Sequence, residues 1–381
     1  MSSTAGWENC GCESNSTKAI GERPSLDTIL TLMLTHSSVA VTIVTYNSGR
    51  FIRRCLESVL EQQYAPKEII VIDNASTDGT RDLLEWFEDR VRIVYNEENA
   101  GFAAAQNQAI AMSDSKWILA LNPDVLLMPG FIATLVAAGE QQSEIGTVCG
   151  KLLKMSADFQ LPSPPSFDST GIYFTPTMRH FDRGSGQLDR GDYERFEYVF
   201  GATGAAALYR REMVNDVSLA GEFYDPEFFV YREDADVAWR AQLLGWRCLY
   251  VPIACGYHVR TVTPNNRKRM SRVINMHSVK NRFLLRIKNI TPQIYRRHWA
   301  KITLRDLIVI AGCMTREHYS LKAFGILWKI WSRTLKKRQE IMRRRRASDE
   351  YLSQWFLREQ PRHPAESIAN RMLAQQNAAS R

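Results

Sequence analysis

Apolar and polar residues follow two rhythms between residues 39 and 260. Val39-Ala40-Val41-Thr42-Ile43-Val44-Thr45 is a β-branched run that predicts a buried strand. It stops at Tyr46-Asn47-Ser48-Gly49. Ile52, Cys55, Leu56, Val59 and Leu60 then recur at helical spacing, and Pro66 closes that unit. Glu68 to Ile72 predicts a second strand, with Asp73-Asn74-Ala75-Ser76 as its carboxyl-end loop. Asp78-Gly79 reads as a turn, after which Thr80 is placed to cap a helix from Arg81 to Glu88. Val91 to Tyr95 predicts a third strand, and Asn99-Ala100-Gly101-Phe102 opens an alanine-rich helix through Ile110. Trp117-Ile118-Leu119-Ala120-Leu121 is the next buried strand and ends at Asn122-Pro123-Asp124. Pro129 stands where a helix-starting proline belongs, ahead of a helix to about Gly139.

Strands alternating with helices at this short spacing predict βαβ units and a mostly parallel sheet. Thr147 to Leu153, the small-residue run Ala205 to Tyr209, and Arg247 to Pro252 extend the series, with Gly256-Tyr257-His258 just beyond the last strand. Glu233-Asp234-Ala235-Asp236 opens a helix that ends at Gly245. Acids in a first helical turn are stabilised by the helix dipole, so this cluster has a structural role open to it as well. Ser156 to Glu197 is rich in proline and glycine and reads as a long loop, which in a compact domain is usually functional or disordered. No G-x-G-x-x-G follows the first strand, and there is no P-loop.

From about Asn265 the pattern changes. Phe283, Leu284, Ile287, Leu307, Ile308, Leu327, Trp328 and Trp331 are set among Arg and Lys, which predicts two to four amphipathic helices with basic faces. The organisation expected is a flexible lead-in at 1–38 with a short helix near Leu26 to Leu34, an α/β domain at 39–260, a basic helical extension at 261–346 and a polar, flexible tail at 347–381. The charge sharpens this division. From Arg260 to Arg346 there are 24 Lys and Arg against three acids, which leaves the remainder at a net of −13 within a total of +8. An acidic body joined to a basic segment points to an anionic surface as partner, a membrane or a nucleic acid. No apolar stretch reaches the roughly 18 residues of a membrane span. There is no basic, then long apolar leader pattern at the N-terminus. Seven scattered cysteines, with Cys10 and Cys12 as a C-x-C lacking a second pair, read as reduced thiols of a cytoplasmic protein.

The candidate chemistry sits at strand ends. In open parallel sheets ligands bind beyond the carboxyl ends of strands. A carboxylate held there, such as Asp124, suits a divalent cation on a nucleotide diphosphate. Taken alone, Asn-Pro-Asp is equally a plain turn. The order Thr45-Tyr46-Asn47, Asp73-Asn74-Ala75-Ser76-Thr77-Asp78-Gly79, Asn99-Ala100-Gly101-Phe102, Leu121-Asn122-Pro123-Asp124, Glu233-Asp234-Ala235-Asp236 with Trp239-Arg240, and then His258 resembles a family 2 inverting glycosyltransferase of the GT-A fold. It is most similar to the bacterial rhamnosyltransferase-like branch, and the resemblance covers roughly Val39 to His258.

That resemblance implies a Rossmann-like sheet flanked by helices, a nucleotide-diphospho-sugar donor, and a lipid-linked or cell-surface glycan as acceptor. It implies that Thr45, Tyr46 and Asn47 pack against base and ribose and that Asp73 accepts a hydrogen bond from the base, while Asp78 reads better as a cap. Asn99, Gly101 and Asn107 would border ribose and sugar, with Gly101 also available simply as a turn former. Asn122 stands where the family often has an acid, which leaves Asp124 as that motif's one carboxylate. His258 matches a further metal position; oxygen ligands suit Mg²⁺ or Mn²⁺, and an imidazole favours Mn²⁺. Asp234 matches the catalytic base, which takes the proton of an otherwise weakly nucleophilic sugar hydroxyl. Glu233 and Asp236 are alternatives for acceptor positioning, and Asp236 equally for capping. Lys280 and Arg282 are candidates to reach the donor diphosphate.

Two other classes compete. A nucleic-acid-binding protein would use the basic segment on phosphates, but no recognisable module is present and the acidic body stays unexplained, so no nucleic-acid partner is expected. A sugar-phosphate nucleotidyltransferase would want a glycine-rich basic loop where Thr45-Tyr46-Asn47-Ser48 stands.

Overall fold

The computed structural model describes residues 37–260, 271–359 and 361–379. The expected lead-in, its helix near Leu26 to Leu34, and Cys10 and Cys12 lie outside the described residues. In chain order the strands are β1 (Val39–Thr45), β2 (Glu68–Asp73), β3 (Arg92–Tyr95), β4 (Trp117–Leu121), β5 (Val125–Leu127), β6 (Ile145–Lys154), β7 (Phe167–Ser169), β8 (Ile172–Phe174), β9 (His180–Asp182), β10 (Glu197–Val199), β11 (Ala206–Arg210) and β12 (Arg247–His258). The helices are α1 (Ile52–Leu60), α2 (Thr80–Glu85), α3 (Phe102–Ala111), α4 (Phe131–Gly139), α5 (Arg211–Val217), α6 (Glu233–Leu243), α7 (Arg272–Asn289), α8 (Pro292–Thr315), α9 (Lys322–Arg344), α10 (Asp349–Ser353) and α11 (Glu366–Ala379).

The central sheet runs β10-β12-β6-β11-β4-β1-β2-β3. β1 pairs in parallel with β2 and β4, β2 with β3, and β6 with β12, while β11 runs against both its neighbours. The sheet is therefore mostly parallel, as the βαβ spacing predicts. Alternate side chains feed two apolar layers. Val39, Val41, Ile43, Ile69 and Val71 meet Ile52, Leu56, Val59 and Leu84 of α1 and α2, whereas Val44, Ile70 and Ile72 meet Ala105 and Ala109 of α3. Burial on both faces is why β1 and β4 read as unbroken apolar runs rather than alternating ones.

Four expectations change. Gly79, in the left-handed region at φ 81°, rather than Thr80, caps α2, and Thr80 is its buried first residue. The last strand does not stop at Pro252. Its register with β6 shifts between Val251 and Cys255, which lets the chain pass a residue without an N–H, and it then pairs on through His258. Ser156 to Glu197 is not a structureless loop: β7 adds to β6, and β8 pairs with β9. The tail beyond 346 is not a loose polar end. Leu352, Trp355 and Phe356 pack with Phe174, Phe200 and Trp239, and Ala365 and Ile368 join the core beneath the sheet. A few well-spaced apolar residues suffice to anchor a segment whose composition is polar.

The basic extension is helical and docks on α6. Met276, Val279, Phe283 and Leu284 of α7 share a core with Trp239 and Leu243. The run Arg343 to Arg346 is spent internally: Arg343 pairs with Glu340, Arg344 and Arg346 with Asp216, and Arg345 with Asp349.

Candidate active site

Three parallel strands deliver the first residues. β1 ends at Thr45 and β2 at Asp73, which are register partners, and β4 ends one residue before Asn122. Asp73 is fully buried. Its Oδ2 accepts from Arg81 Nε at 2.7 Å and from the Ser76 N–H at 3.2 Å, while its Oδ1 has no partner. A buried carboxylate oxygen without a donor is costly, and a ligand N–H would satisfy it. The Thr45 hydroxyl, also buried, is likewise unpartnered. Tyr46, the next residue, is 51% exposed. Asn47 adopts φ 51° and braces the facing loop, its N–H donating to Ser76 Oγ and its Oδ1 accepting from the Thr77 N–H. Asp78 is a cap, as expected, accepting from the Gly49 and Thr80 backbone.

Asn99 shapes the next loop. Its Oδ1 accepts from Asn74 Nδ2 and from the Gly101 N–H, both at 2.9 Å. Gly101 is required twice over: its φ is 84°, and a Cβ there would stand 2.5 Å from the Phe229 ring. Asn107 departs from expectation. Its side chain donates to the Tyr224 carbonyl and accepts from the Tyr224 N–H, at 2.7 and 2.9 Å, so it clamps a backbone instead of bordering a ligand.

The edge carrying Asp124 is assembled by β5 and β12. Their antiparallel pairing sets His258 opposite Val125, which brings His258 Nε2 to 3.3 Å from Asp124 Oδ1. The other ring nitrogen, Nδ1, meets Asp168 Oδ2 at 2.8 Å. Burial opposes charge on His258, yet Asp124 and Asp168 hold its pKa up to about 10. Asp168 is fully buried and also takes Arg260 Nε at 2.8 Å; burial would raise its carboxyl, but His258 and Arg260 keep it below the usual range. Arg260 continues the chain of charges to Asp182 at 2.7 Å. Among the described residues no group of three or more His, Cys, Asp or Glu is arranged to hold a metal. The pair fits a divalent cation all the same. Such cations commonly take one or two protein ligands plus phosphate oxygens and water, and a carboxylate behind the far ring nitrogen is the usual support of a metal-binding imidazole.

Asp234 stands half-buried in the first turn of α6. Its Oδ2 accepts from the Gly204 N–H at 3.0 Å and its Oδ1 from the Ala235 N–H at 2.7 Å. Burial pushes its pKa up against those bonds. Beside it, burial and then Asp234 push Glu233 up to about 8, and Glu233 Oε2 is buried without a partner. Burial, and then the nearby carboxylates Glu233 and Asp124, push the Tyr231 hydroxyl up. Asp236 is turned into the interior. It is fully buried, with Oδ2 accepting from Arg240 Nε and Lys288 Nζ, both at 2.9 Å, and Oδ1 accepting from Asn289 Nδ2. It is a structural anchor for the helical extension, not an acceptor contact.

The two tail cations part ways. Lys280 is buried and donates to the Glu227 carbonyl, so its ammonium is occupied within the chain. Arg282 belongs to a group with Arg179, Arg232 and Arg260 around His180, whose pKa burial and these guanidiniums push well down. Sequence reading missed Asp168, Asp182, His180 and Arg260. Three of them come from the segment read as a loop, and no spacing in the chain signals that β7 and β9 deliver them to β12.

Residues 40–218 match the family model for glycosyl transferase family 2. A teichuronic acid biosynthesis glycosyltransferase, TuaG of Bacillus subtilis, is 38% identical over 23% of this chain, which covers 35% of that relative's length. The N-acetylglucosaminyl-diphospho-decaprenol L-rhamnosyltransferase of Mycobacterium tuberculosis is 28% identical over 56% of this chain and 73% of its own. Among solved structures, GalNAc-T7 with UDP, GalNAc and Mn²⁺ superposes with a TM-score of 0.51 at 16% identity, over 66% of this chain and 48% of that one. With strand-end carboxylates, a mostly parallel sheet and this match in agreement, the chain carries a family 2 glycosyltransferase domain of GT-A-like fold across residues 40–218.

Proposed function

We propose that the protein moves a sugar, L-rhamnose from dTDP-L-rhamnose, onto a hydroxyl of a lipid-linked or cell-surface glycan with inversion, working on the cytoplasmic side of the cell membrane. The observation that carries this is the half-buried Asp234 carboxylate, held by two backbone N–H groups and lying in the fields of Asp182 and Arg260, charges that lead through Asp168 to His258 and Asp124. The choice of sugar is supported by the mycobacterial relative, whose name specifies rhamnosyl transfer to a lipid diphosphate.

The residues divide the work. Asp73 Oδ1 receives the N–H of the base, and Thr45, Tyr46 and Asn47 frame base and ribose. Asn99 and Gly101 hold the loop beside the sugar by fixing the turn into α3. Asp124 and His258 hold a divalent cation, Mn²⁺ before Mg²⁺ because of the imidazole, with Asn122 completing the turn. When bound, that cation supplies positive charge for the departing diphosphate. Asp234 takes the proton of the acceptor hydroxyl. Its raised pKa brings it nearer to operating pH, where a general base is most effective. Glu233, neutral below about 8, stands beside it and can donate to the acceptor without repelling it. With the base on one face of the sugar and the diphosphate held on the other, a single displacement inverts the anomeric carbon.

The test is release of nucleoside diphosphate from dTDP-, UDP- and GDP-sugars with Mg²⁺, Mn²⁺ or EDTA and a membrane-lipid extract as acceptor. Release from one donor, lost with EDTA, is expected. Asp234→Asn should lower turnover by about 10²- to 10⁴-fold while donor binding by calorimetry stays unchanged. Failure to bind any nucleotide sugar would sink the reading.

A further inference from the structure

Helix α8 is apolar on two faces. It buries Ile294, His298, Ile302 and Cys313 against the rest of the extension. The opposite face ought to be polar. Instead Leu304, Leu307, Ile308 and Met314 stand exposed there at helical spacing, Leu304 by 62% and Leu307 by 59%. The first half of the same helix exposes Trp299 and Tyr295 among Arg296, Arg297 and Lys301. After the turn His318–Leu321, α9 exposes Trp328 by 81% and Trp331, beside Lys329 and Lys336. None of Arg296, Arg297, Lys301, Lys329 and Lys336 forms an ion pair among the described residues. The acid carried by α8, Asp306, is taken by Arg286 of α7.

We propose that α8, with the exposed tryptophans of α9, is a docking surface for an anionic lipid bilayer. The combination of exposed leucines, interfacial tryptophans and unneutralised cations fits the headgroup–acyl boundary, where apolar side chains enter and cations meet lipid phosphates. Among the described residues no helix is long and apolar enough to cross a membrane, so these helices lie on it. A second copy of the chain is a poor occupant, because pairing this face with itself would oppose its cations. The surface rests on the proposed transfer to a lipid-linked acceptor for its purpose. The extension is locked to α6 through Lys288 and Asp236, two residues from Asp234. Docking would thus hold the catalytic turn at a set distance from the membrane.

The experiment is flotation of the full chain with vesicles of phosphatidylcholine alone or mixed with phosphatidylglycerol. The expected result is binding to the mixed vesicles only, weakened by salt. The double variant Leu304→Ser/Ile308→Ser should lose more than about tenfold in binding, given the methylenes withdrawn from the boundary. The triple variant Arg296→Gln/Arg297→Gln/Lys301→Gln should lose the preference for anionic lipid. Circular dichroism and donor binding should be unchanged in both. Wild type that stays unbound with anionic vesicles overturns the proposal, as does equal flotation of the serine variant. So does a dimer in sedimentation that the serine substitutions dissolve, which would assign the stripe to a second copy. Flotation needs no donor, so its failure and that of the transferase reading are read separately.

Discussion

Asp168 has no counterpart in any motif of the chain, yet it decides how His258 is presented. By accepting at Nδ1 it leaves Nε2 toward Asp124. Partners behind a metal-binding imidazole are worth about 10- to 100-fold in metal affinity. Asp168→Asn should weaken Mn²⁺ binding by that factor in calorimetry with the fold intact, and an unchanged affinity would remove Asp168 from the site. Glu233 gives a pH signature instead. Its ordinary pKa of 4.5 is pushed up to about 8 in the folded chain, so folding favours the protonated form. The stability it contributes is whole below 4.5 and is lost as pH rises through 8. In urea titrations at pH 5 and pH 8.5, Glu233→Gln should flatten this part of the decline relative to wild type. An unaltered slope would show that Glu233 is charged in the native state.

At the scale of elements, the join between α6 and the extension is electrostatic at its centre. Lys288 is fully buried between Asp225 Oδ2 at 2.5 Å and Asp236 Oδ2 at 2.9 Å, with Lys337 on Asp225 and Arg240 on Asp236. Burial would raise Asp225, but Lys288 and Lys337 hold it well below the carboxylate range. Removing one partner from such a cluster leaves charge uncompensated in a dry interior and typically costs 3–5 kcal/mol. Lys288→Met should lower unfolding free energy by about 3 kcal/mol in denaturant titration, since Arg240 and Lys337 remain. A near-neutral result would mean that the cluster relaxes into water. The basic character of this segment, read from sequence as a face for an outside anion, is thus partly spent on Asp225 and Asp236 of the α/β domain.

At the scale of the whole molecule, the described residues beyond Arg346 are part of the fold. Leu352 and Phe356 are completely buried and Trp355 nearly so, against the aromatic group of Phe174, Phe200 and Trp239. Each such side chain is worth about 1.5–3 kcal/mol of burial. Truncation after Ala347 should therefore cost roughly 5 kcal/mol or more and lower Tm in calorimetry; a truncated chain melting like wild type would show the segment to be dispensable.

The local order of the chain alone determined the alternation of strand and helix, the mostly parallel sheet, and the motif residues Thr45, Asp73, Asp124 and Asp234 at strand ends and a helix start. Those properties are written in short windows, where period, turn residues and chain direction carry the information. Tertiary structure decided the surroundings in which those residues sit. Asp234 and Asp236 are two residues apart on one helix, so one stays half-buried while the other meets Lys288 in the interior. Asn107 sits one turn into α3 and clamps Tyr224, 117 residues away. Asp168 reaches His258 across 90 residues because β7 pairs with β6 and β6 with β12. Contacts of that kind depend on strand neighbours that are not adjacent in the chain, and no local pattern encodes them.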